Sequence, residues 1–196
     1  MTRRLQNLFT VILTALAIVL GAGVAWAGPA TSAVQKTQGD LFAALKAGDD
    51  KKVESLFNQF IDYNKFAQDS LGSEWGNRSA SEKAEFTDLL KRLVGQAYKC
   101  NLKKIMDFSI SYTSEESKDG ATLVKSTATK SGQSPVEINF KVANEGGTWR
   151  LQDIETEDVS LVDNNRSRFV QIIKKDGFPA LLQKMKDKLA KPACES

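Results

Sequence analysis

Residues 79–112, SASEKAEFTDLLKRLVGQAYKCNLKKIMDFSISY, decide the fold because the spacing of their apolar side chains changes once within the stretch. Ser79 and Glu82 form a capping box, which predicts the start of a helix. From residue 104 onward, apolar and polar residues alternate as they do in a half-buried β-strand. The stretch therefore predicts a long helix that leads into a strand. The helical apolar face consists of Phe86, Leu89, Leu90, Leu93, Val94, Ala97 and Tyr98.

The segments on either side extend this pattern. Helical spacing covers residues 31–103, with a first helix that ends near Gly48, a second from about Val53 to Ile61 and a short third that stops at Leu71 and Gly72. Strand-like alternation covers residues 104–156, and helical spacing returns from about 164 to 190. Helices, then strands, then helices predict an α+β domain in which long amphipathic helices pack against a curved antiparallel sheet.

The strand region predicts four strands joined as a meander. They cover about residues 106–112, 121–129, 136–142 and 149–154, with turns at 118–120 and 144–147. The second strand has few large apolar side chains, so we expect it to be exposed or at an edge of the sheet.

The composition is that of a single globular domain and excludes several classes of enzyme. The chain has 196 residues, 41% of them hydrophobic and 26% charged, with no histidine and two cysteines. A zinc site, a histidine base and a histidine-activated nucleophile are therefore excluded. Asp153, Glu155 and Glu157 share one face of a predicted strand, but no calcium loop surrounds them, and we expect neither a metal site nor a cofactor.

The first 27 residues have the pattern of a secretory signal peptide. Arg3 and Arg4 precede an uncharged apolar run, and Ala25-Trp26-Ala27 is a cleavage site with small residues. We expect residues 1–27 to be removed and residues 28–196 to form one exported domain; an uncleaved membrane anchor is the alternative. Loss of the two arginines reduces the formal net charge from +3 to +1, so no nucleic-acid partner is expected.

Export changes the interpretation of the two cysteines. In an oxidising compartment, Cys100 and Cys194 are expected to form a disulfide, which would stabilise the fold by about 4 kcal/mol through loop entropy. The alternative is two unpaired thiols.

A set of motifs resembles the MlaC family, the toluene-tolerance auxiliary proteins of an ABC transport system. Residues 147–154 (GTWRLQDI), 157–162 (EDVSLV) and 165–169 (NRSRF) carry most of the resemblance, and the segment from Leu71-Gly72 to Phe86 agrees with it. Asp158 stands where that family usually has glycine, so a hopanoid-binding or other lipid-binding relative is the alternative.

The resemblance implies a periplasmic lipid carrier and not an enzyme. Such a protein would bind a phospholipid by its acyl chains and shuttle it between an inner-membrane ABC transporter complex, with its substrate-binding component, and an outer-membrane lipoprotein complex, which maintains outer-membrane lipid asymmetry. A small α+β hydrolase or isomerase without histidine stays open as a different function, with Asp62, Asp69 or Asp153 as the base. A two-lobed binding protein for polar solutes needs a longer chain.

A lipid carrier needs a sheltered cavity, because exposing two long acyl chains to water costs on the order of 20 kcal/mol. We expect an apolar cavity between the long helix and the sheet; for each residue the alternative is ordinary core packing. The candidate lining residues are Phe86, Leu90, Val94, Tyr98, Ile110, Ile138, Phe140, Trp149, Leu151, Val159, Leu161 and Phe169.

Overall fold

The computed structural model describes residues 28–191, except for the side chains of residues 98–105. The predicted signal peptide, Cys194 and the side chain of Cys100 lie outside the described residues, as does the side chain of Tyr98. Within residues 28–191 the elements are, in chain order, α1 (Pro29–Lys46), α2 (Asp50–Phe60), α3 (Tyr63–Leu71), a 3₁₀ segment (Gly72–Asn77), α4 (Ala80–Ile105), β1 (Ser109–Lys118), β2 (Ala121–Thr129), β3 (Val136–Glu145), β4 (Thr148–Thr156), β5 (Val159–Ser160), α5 (Leu161–Asp176) and α6 (Phe178–Ala190).

Side-chain caps fix several helix starts. The capping box is confirmed: the Ser79 N–H donates to Glu82 Oε2 at 2.8 Å, and the Glu82 N–H donates to Ser79 Oγ at 3.3 Å. Asp49, Asp62 and Ser160 each accept a hydrogen bond from the backbone N–H three residues on, at 2.9 to 3.0 Å. Local sequence therefore determines where α2, α3, α4 and α5 begin.

The strands form an open antiparallel sheet in the order β1-β2-β3-β4-β5. This confirms the α+β class, although β5 adds a short fifth strand to the predicted four. Register shifts occur between Tyr112 and Ser114 and between Lys141 and Val142, and such bulges bend a strand.

The prediction that the second strand is exposed or at an edge was wrong. β2 lies between β1 and β3, and Leu123, Val124 and Ala128 are at most 4% exposed. The small residues of β2 allow α1 to contact the sheet, and the Ser126 hydroxyl is satisfied because it donates to the Ile138 carbonyl. A strand poor in large side chains can therefore be central.

Two main groups of buried side chains make up the interior. The helical cluster lies among α3, α4, α5 and α6, and the sheet-facing cluster lies between the sheet and the first helices; a small third group joins α1 to α2. The buried members of the helical cluster are Phe66, Ala67, Leu71, Phe86, Leu89, Leu90, Val162, Phe178, Leu181, Leu182 and Met185. Those of the sheet-facing cluster are Ala30, Val34, Ile61, Val124, Val142 and Leu151.

A long-range contact closes one side of the helical cluster. Gly72 has a φ of +55°, and a Cβ there would lie 2.9 Å from Cδ of Arg166. The Arg166 Nε donates to the Asp69 carbonyl at 2.6 Å, which satisfies a carbonyl in the last turn of α3. The Leu71-Gly72 stop and the arginine on α5 therefore form one structural unit.

None of the helices within residues 28–191 is both long and apolar enough to cross a membrane.

Candidate functional site

The candidate site is the layer between the inner face of the sheet and the helices that cover it. Strand register fixes this face: Phe140 lies opposite Val124 and Ile154, and Val142 lies opposite Leu151. Because side chains two residues apart on a strand share a face, these apolar residues form one continuous surface.

The junction of α2 and α3 is attached directly to this surface. Ile61 forms a parallel bridge with Leu151, and the Asp62 N–H donates to the Leu151 carbonyl at 2.9 Å. From α1, Ala30 and Val34 are buried against the same cluster. The first helices are therefore held over the sheet by backbone hydrogen bonding as well as by packing.

The large side chains around the sheet-facing cluster are only partly buried. The helical cluster also has partly buried neighbours such as Phe169, but it encloses phenylalanines such as Phe86, which is 0% exposed. The described buried members of the sheet-facing cluster include no aromatic side chain. The partly buried residues are Phe57, Phe60, Tyr63, Val94, Tyr112, Phe140, Trp149 and Ile154.

The two tyrosines of this layer stay neutral at physiological pH. Burial raises the pKa of Tyr112 to about 12, and its hydroxyl donates to Oε1 of Gln38 on α1. Burial and the nearby Glu54 carboxylate raise the pKa of Tyr63 to about 12. The Tyr112 and Phe140 rings pack with their centroids 6.5 Å apart. The two hydroxyls therefore add no charge to a mainly apolar surface.

A cleft of about 350 Å³ lies between α2 and α4, with the end of α6 beside it. Phe57 and Tyr63 line the cleft and also pack against the sheet-facing cluster. The volume is at the lower end of the range for small-molecule sites, which begins at about 300 Å³. The other lining residues are Val53, Glu54, Asn58, Lys91, Arg92, Gly95, Gln96 and Leu189.

The structure brings four of the twelve predicted lining residues to this layer. Leu151 is a buried member of the sheet-facing cluster, and Val94, Phe140 and Trp149 pack against it. Ile110 and Ile138 are partly buried, and strand alternation places both on the same face of the sheet.

The other described candidates lie elsewhere. Phe86 and Leu90 are buried in the helical cluster, and Phe169 packs against it with its ring centroid 5.6 Å from that of Phe86. Phe86 and Leu90 are therefore enclosed in the helical cluster, and Phe169 lies partly buried at its margin. Val159 and Leu161 are 58% and 40% exposed, at β5 and the start of α5, so they do not line an enclosed layer in this structure.

Sequence reasoning did not assign Phe57, Phe60 and Tyr63 to the site. Phe57 and Phe60 belong to the apolar stripe that predicted α2, so a signal was present. Periodicity shows that a helix face is apolar, but it does not identify the surface against which that face packs.

The carboxylates considered as bases are engaged in structural contacts. Asp62 caps α3, and Asp69 forms an ion pair with Lys65 on the same helix. Asp153 accepts hydrogen bonds from the Val162 N–H at 3.1 Å and from the Ser160 hydroxyl, which stabilises the start of α5. Among the side chains that the structure describes, no three of histidine, cysteine, aspartate or glutamate form a group that could hold a metal ion.

Comparisons with known proteins agree with this architecture. The chain resembles a phospholipid-binding protein from Ralstonia solanacearum, whose structure was determined with a phospholipid: the TM-score is 0.70 at 23% identity, covering 82% of this chain and 98% of that one. This likeness shows the fold.

A relative in Haemophilus influenzae, the intermembrane phospholipid transport system binding protein MlaC, is 24% identical over 127 residues. The match covers 62% of this chain and 59% of that protein, so it spans less than two thirds of the relative's length. The sequence profile described as "MlaC protein" matches residues 31–187, well over half of the chain. The chain is therefore a member of the MlaC protein family.

Proposed function

We propose that this protein carries a phospholipid through the periplasm by sheltering its acyl chains between the sheet and the first helices. The observation that carries the proposal is the layer of large, partly buried apolar side chains around the sheet-facing cluster. The phospholipid in the Ralstonia solanacearum structure and the transport role named for the Haemophilus influenzae relative support it.

The energetics explain why such a carrier is needed. Transfer of a two-chain lipid from a membrane into water without a carrier costs on the order of 20 kcal/mol. A sheltered layer in the protein replaces much of the apolar contact that the acyl chains lose when they leave the bilayer. The relative's name supports phospholipid transport between membranes. We propose that the protein exchanges its lipid with an inner-membrane ABC transporter complex, with its substrate-binding component, and with an outer-membrane lipoprotein complex. The result of this exchange is maintenance of outer-membrane lipid asymmetry. The protein acts by binding and release, without catalysis.

Native mass spectrometry of the exported protein, purified without detergent, tests the proposal. We expect a mass increment that fragments into a phospholipid, and delipidated protein should regain that increment after incubation with phospholipid vesicles. A hopanoid-sized increment would favour the other lipid class. Protein that carries no lipid and takes none up from vesicles would contradict the carrier function.

A further inference from the structure

We propose that the cleft between α2 and α4 is the entrance for the acyl chains and that its rim binds a zwitterionic phospholipid head group. This inference rests on the carrier function proposed above. In this arrangement Lys91 and Arg92 bind the phosphate of the head group, and Glu54 binds its ammonium group.

Shared residues connect the cleft to the sheet-facing cluster. Phe57 and Tyr63 line the cleft and pack against the cluster, and Val94, the neighbour of the cleft residue Gly95, packs against the cluster as well. Val53 and Leu189 add apolar surface to the cleft walls. An acyl chain that enters here remains in contact with apolar side chains on its way to the sheet.

The basic side chains of the cleft, Lys91 and Arg92, are consecutive residues of α4. Lys91 Nζ lies 5.8 Å from the centroid of the Tyr63 ring, and no carboxylate of the described side chains lies within 4.0 Å of it. Arg92 pairs with Asp88 at 3.6 Å, and both side chains are more than half exposed. Such an exposed ion pair is weak, so a phosphodiester can replace the carboxylate.

The opposite wall of the cleft has the complementary charge. Among its described lining residues, Glu54 on α2 is the one carboxylate, and its charge helps to raise the pKa of Tyr63. A phosphate near α4 and an ammonium group near α2 would satisfy both walls. The chemical class that fits is an amine-containing zwitterionic phospholipid.

Gly95 lines the cleft without a side chain. It lies within the long helix α4, where glycine is less favourable than alanine, and a Cβ at this position would meet no atom within 4 Å. Gly39 within α1 has the same free space and is exposed, but it does not line the cleft. Gly95 and Gly39 therefore form a matched pair: both lie in helices and have free space for a Cβ, but only Gly95 is among the residues that line the cleft.

Filling the cleft tests the entrance. We measure the rate at which delipidated protein takes fluorescent phosphatidylethanolamine from vesicles for the wild type, Gly95→Phe and Gly39→Phe. Gly39→Phe should load like the wild type and Gly95→Phe about tenfold more slowly, with both folded by circular dichroism. Equal loading by both variants would place the entrance elsewhere. A wild type that does not load would instead remove the carrier function.

Head-group exchange tests the rim. Wild-type protein should load phosphatidylethanolamine several-fold faster than phosphatidylglycerol, and Glu54→Gln should remove that preference. The double variant Lys91→Met/Arg92→Met should load both lipids about tenfold more slowly, whereas Lys174→Met, an exposed substitution on α5, should not. Millimolar inorganic phosphate should leave lipid loading unchanged. If the rim were instead a site for free phosphate, inorganic phosphate would compete with the lipid and slow its loading. Equal loading of the two lipids by the wild type would overturn the head-group assignment.

Discussion

The helical cluster and the sheet-facing cluster differ in how completely they bury aromatic side chains. Phe66, Phe86 and Phe178 are at most 3% exposed, and the Phe86 ring packs at 88° against that of Phe169. Around the sheet-facing cluster, Phe140 and the other large residues are only partly buried. The helical cluster stabilises the fold, and the partly buried side chains of the other layer form the surface to which the proposed function assigns the ligand.

Helix packing explains the difference. In the helical cluster, large side chains from four helices pack against one another. On the sheet, α1 contributes the small residues Ala30 and Val34, which bring its backbone close but cannot fill the space beside it. The larger residues at the margin of the cluster therefore remain partly uncovered.

A charge introduced into each region should have the largest effect and should distinguish the two clusters most clearly. Leu90 and Val94 lie one turn apart on α4, in the helical cluster and against the sheet-facing cluster respectively. Leu90→Glu buries an unpaired charge at a cost of several kcal/mol, against a total stability of about 5 to 15 kcal/mol, so it should unfold the protein. Val94→Glu should remain folded because water can reach the carboxylate, but it should lose its lipid. Circular dichroism and native mass spectrometry check both outcomes; equal unfolding by the two variants would mean that the sheet-facing layer is an ordinary core.

Truncation of one phenylalanine in each region compares how much each ring contributes to the free energy of unfolding. Phe86→Ala should lower the free energy of unfolding by about 3 to 5 kcal/mol, because the cavity it creates lies among tightly packed neighbours. Phe140→Ala should cost less than half of that in the lipid-free protein, since part of its ring is already uncovered. Urea denaturation of the delipidated variants measures both values. Similar losses would show that both regions are filled to the same degree.

High pH should affect the sheet-facing layer through its tyrosines. Burial raises the pKa values of Tyr63 and Tyr112 to about 12 in the folded protein, so the folded state holds protons that the unfolded chain releases above its ordinary pKa of about 10. Stability should therefore be unaffected below pH 10 and should fall between about pH 10 and 12. The double variant Tyr63→Phe/Tyr112→Phe should have a flatter profile over that window in urea titrations. An identical decline in the variant would assign the effect to other groups.

The smallest expected effect comes from a polar atom in α3. Ser70 is fully buried, and its Oγ has no hydrogen-bond partner among the described residues. Ser70→Ala removes this unsatisfied hydroxyl and should raise the free energy of unfolding by about 1 kcal/mol without changing lipid binding. Thermal denaturation measures the gain, with Ser73→Ala at an exposed position as the control. A loss of stability at Ser70 would show that the hydroxyl is satisfied in solution.

Local sequence signals were enough to predict the helices, the meander and the α+β class of the fold. The Ser79 and Glu82 capping box, the alternation from residue 104 and the turn glycines act within a few residues of themselves, so they can be interpreted without knowing what surrounds them. The sequence also placed Val94, Phe140, Trp149 and Leu151 on apolar faces that reach the candidate site.

Which apolar faces are enclosed depends on how distant parts of the chain pack together. This packing placed Phe86 and Leu90 in the helical cluster, brought Phe57 and Tyr63 to the sheet-facing one and made β2 a central strand. Burial depends on the shape of the opposing surface, which is contributed by residues far along the chain and has no local signal. The contact between Gly72 and Arg166 has the same origin: each motif is visible in the sequence, but their pairing exists only once α3 and α5 pack together.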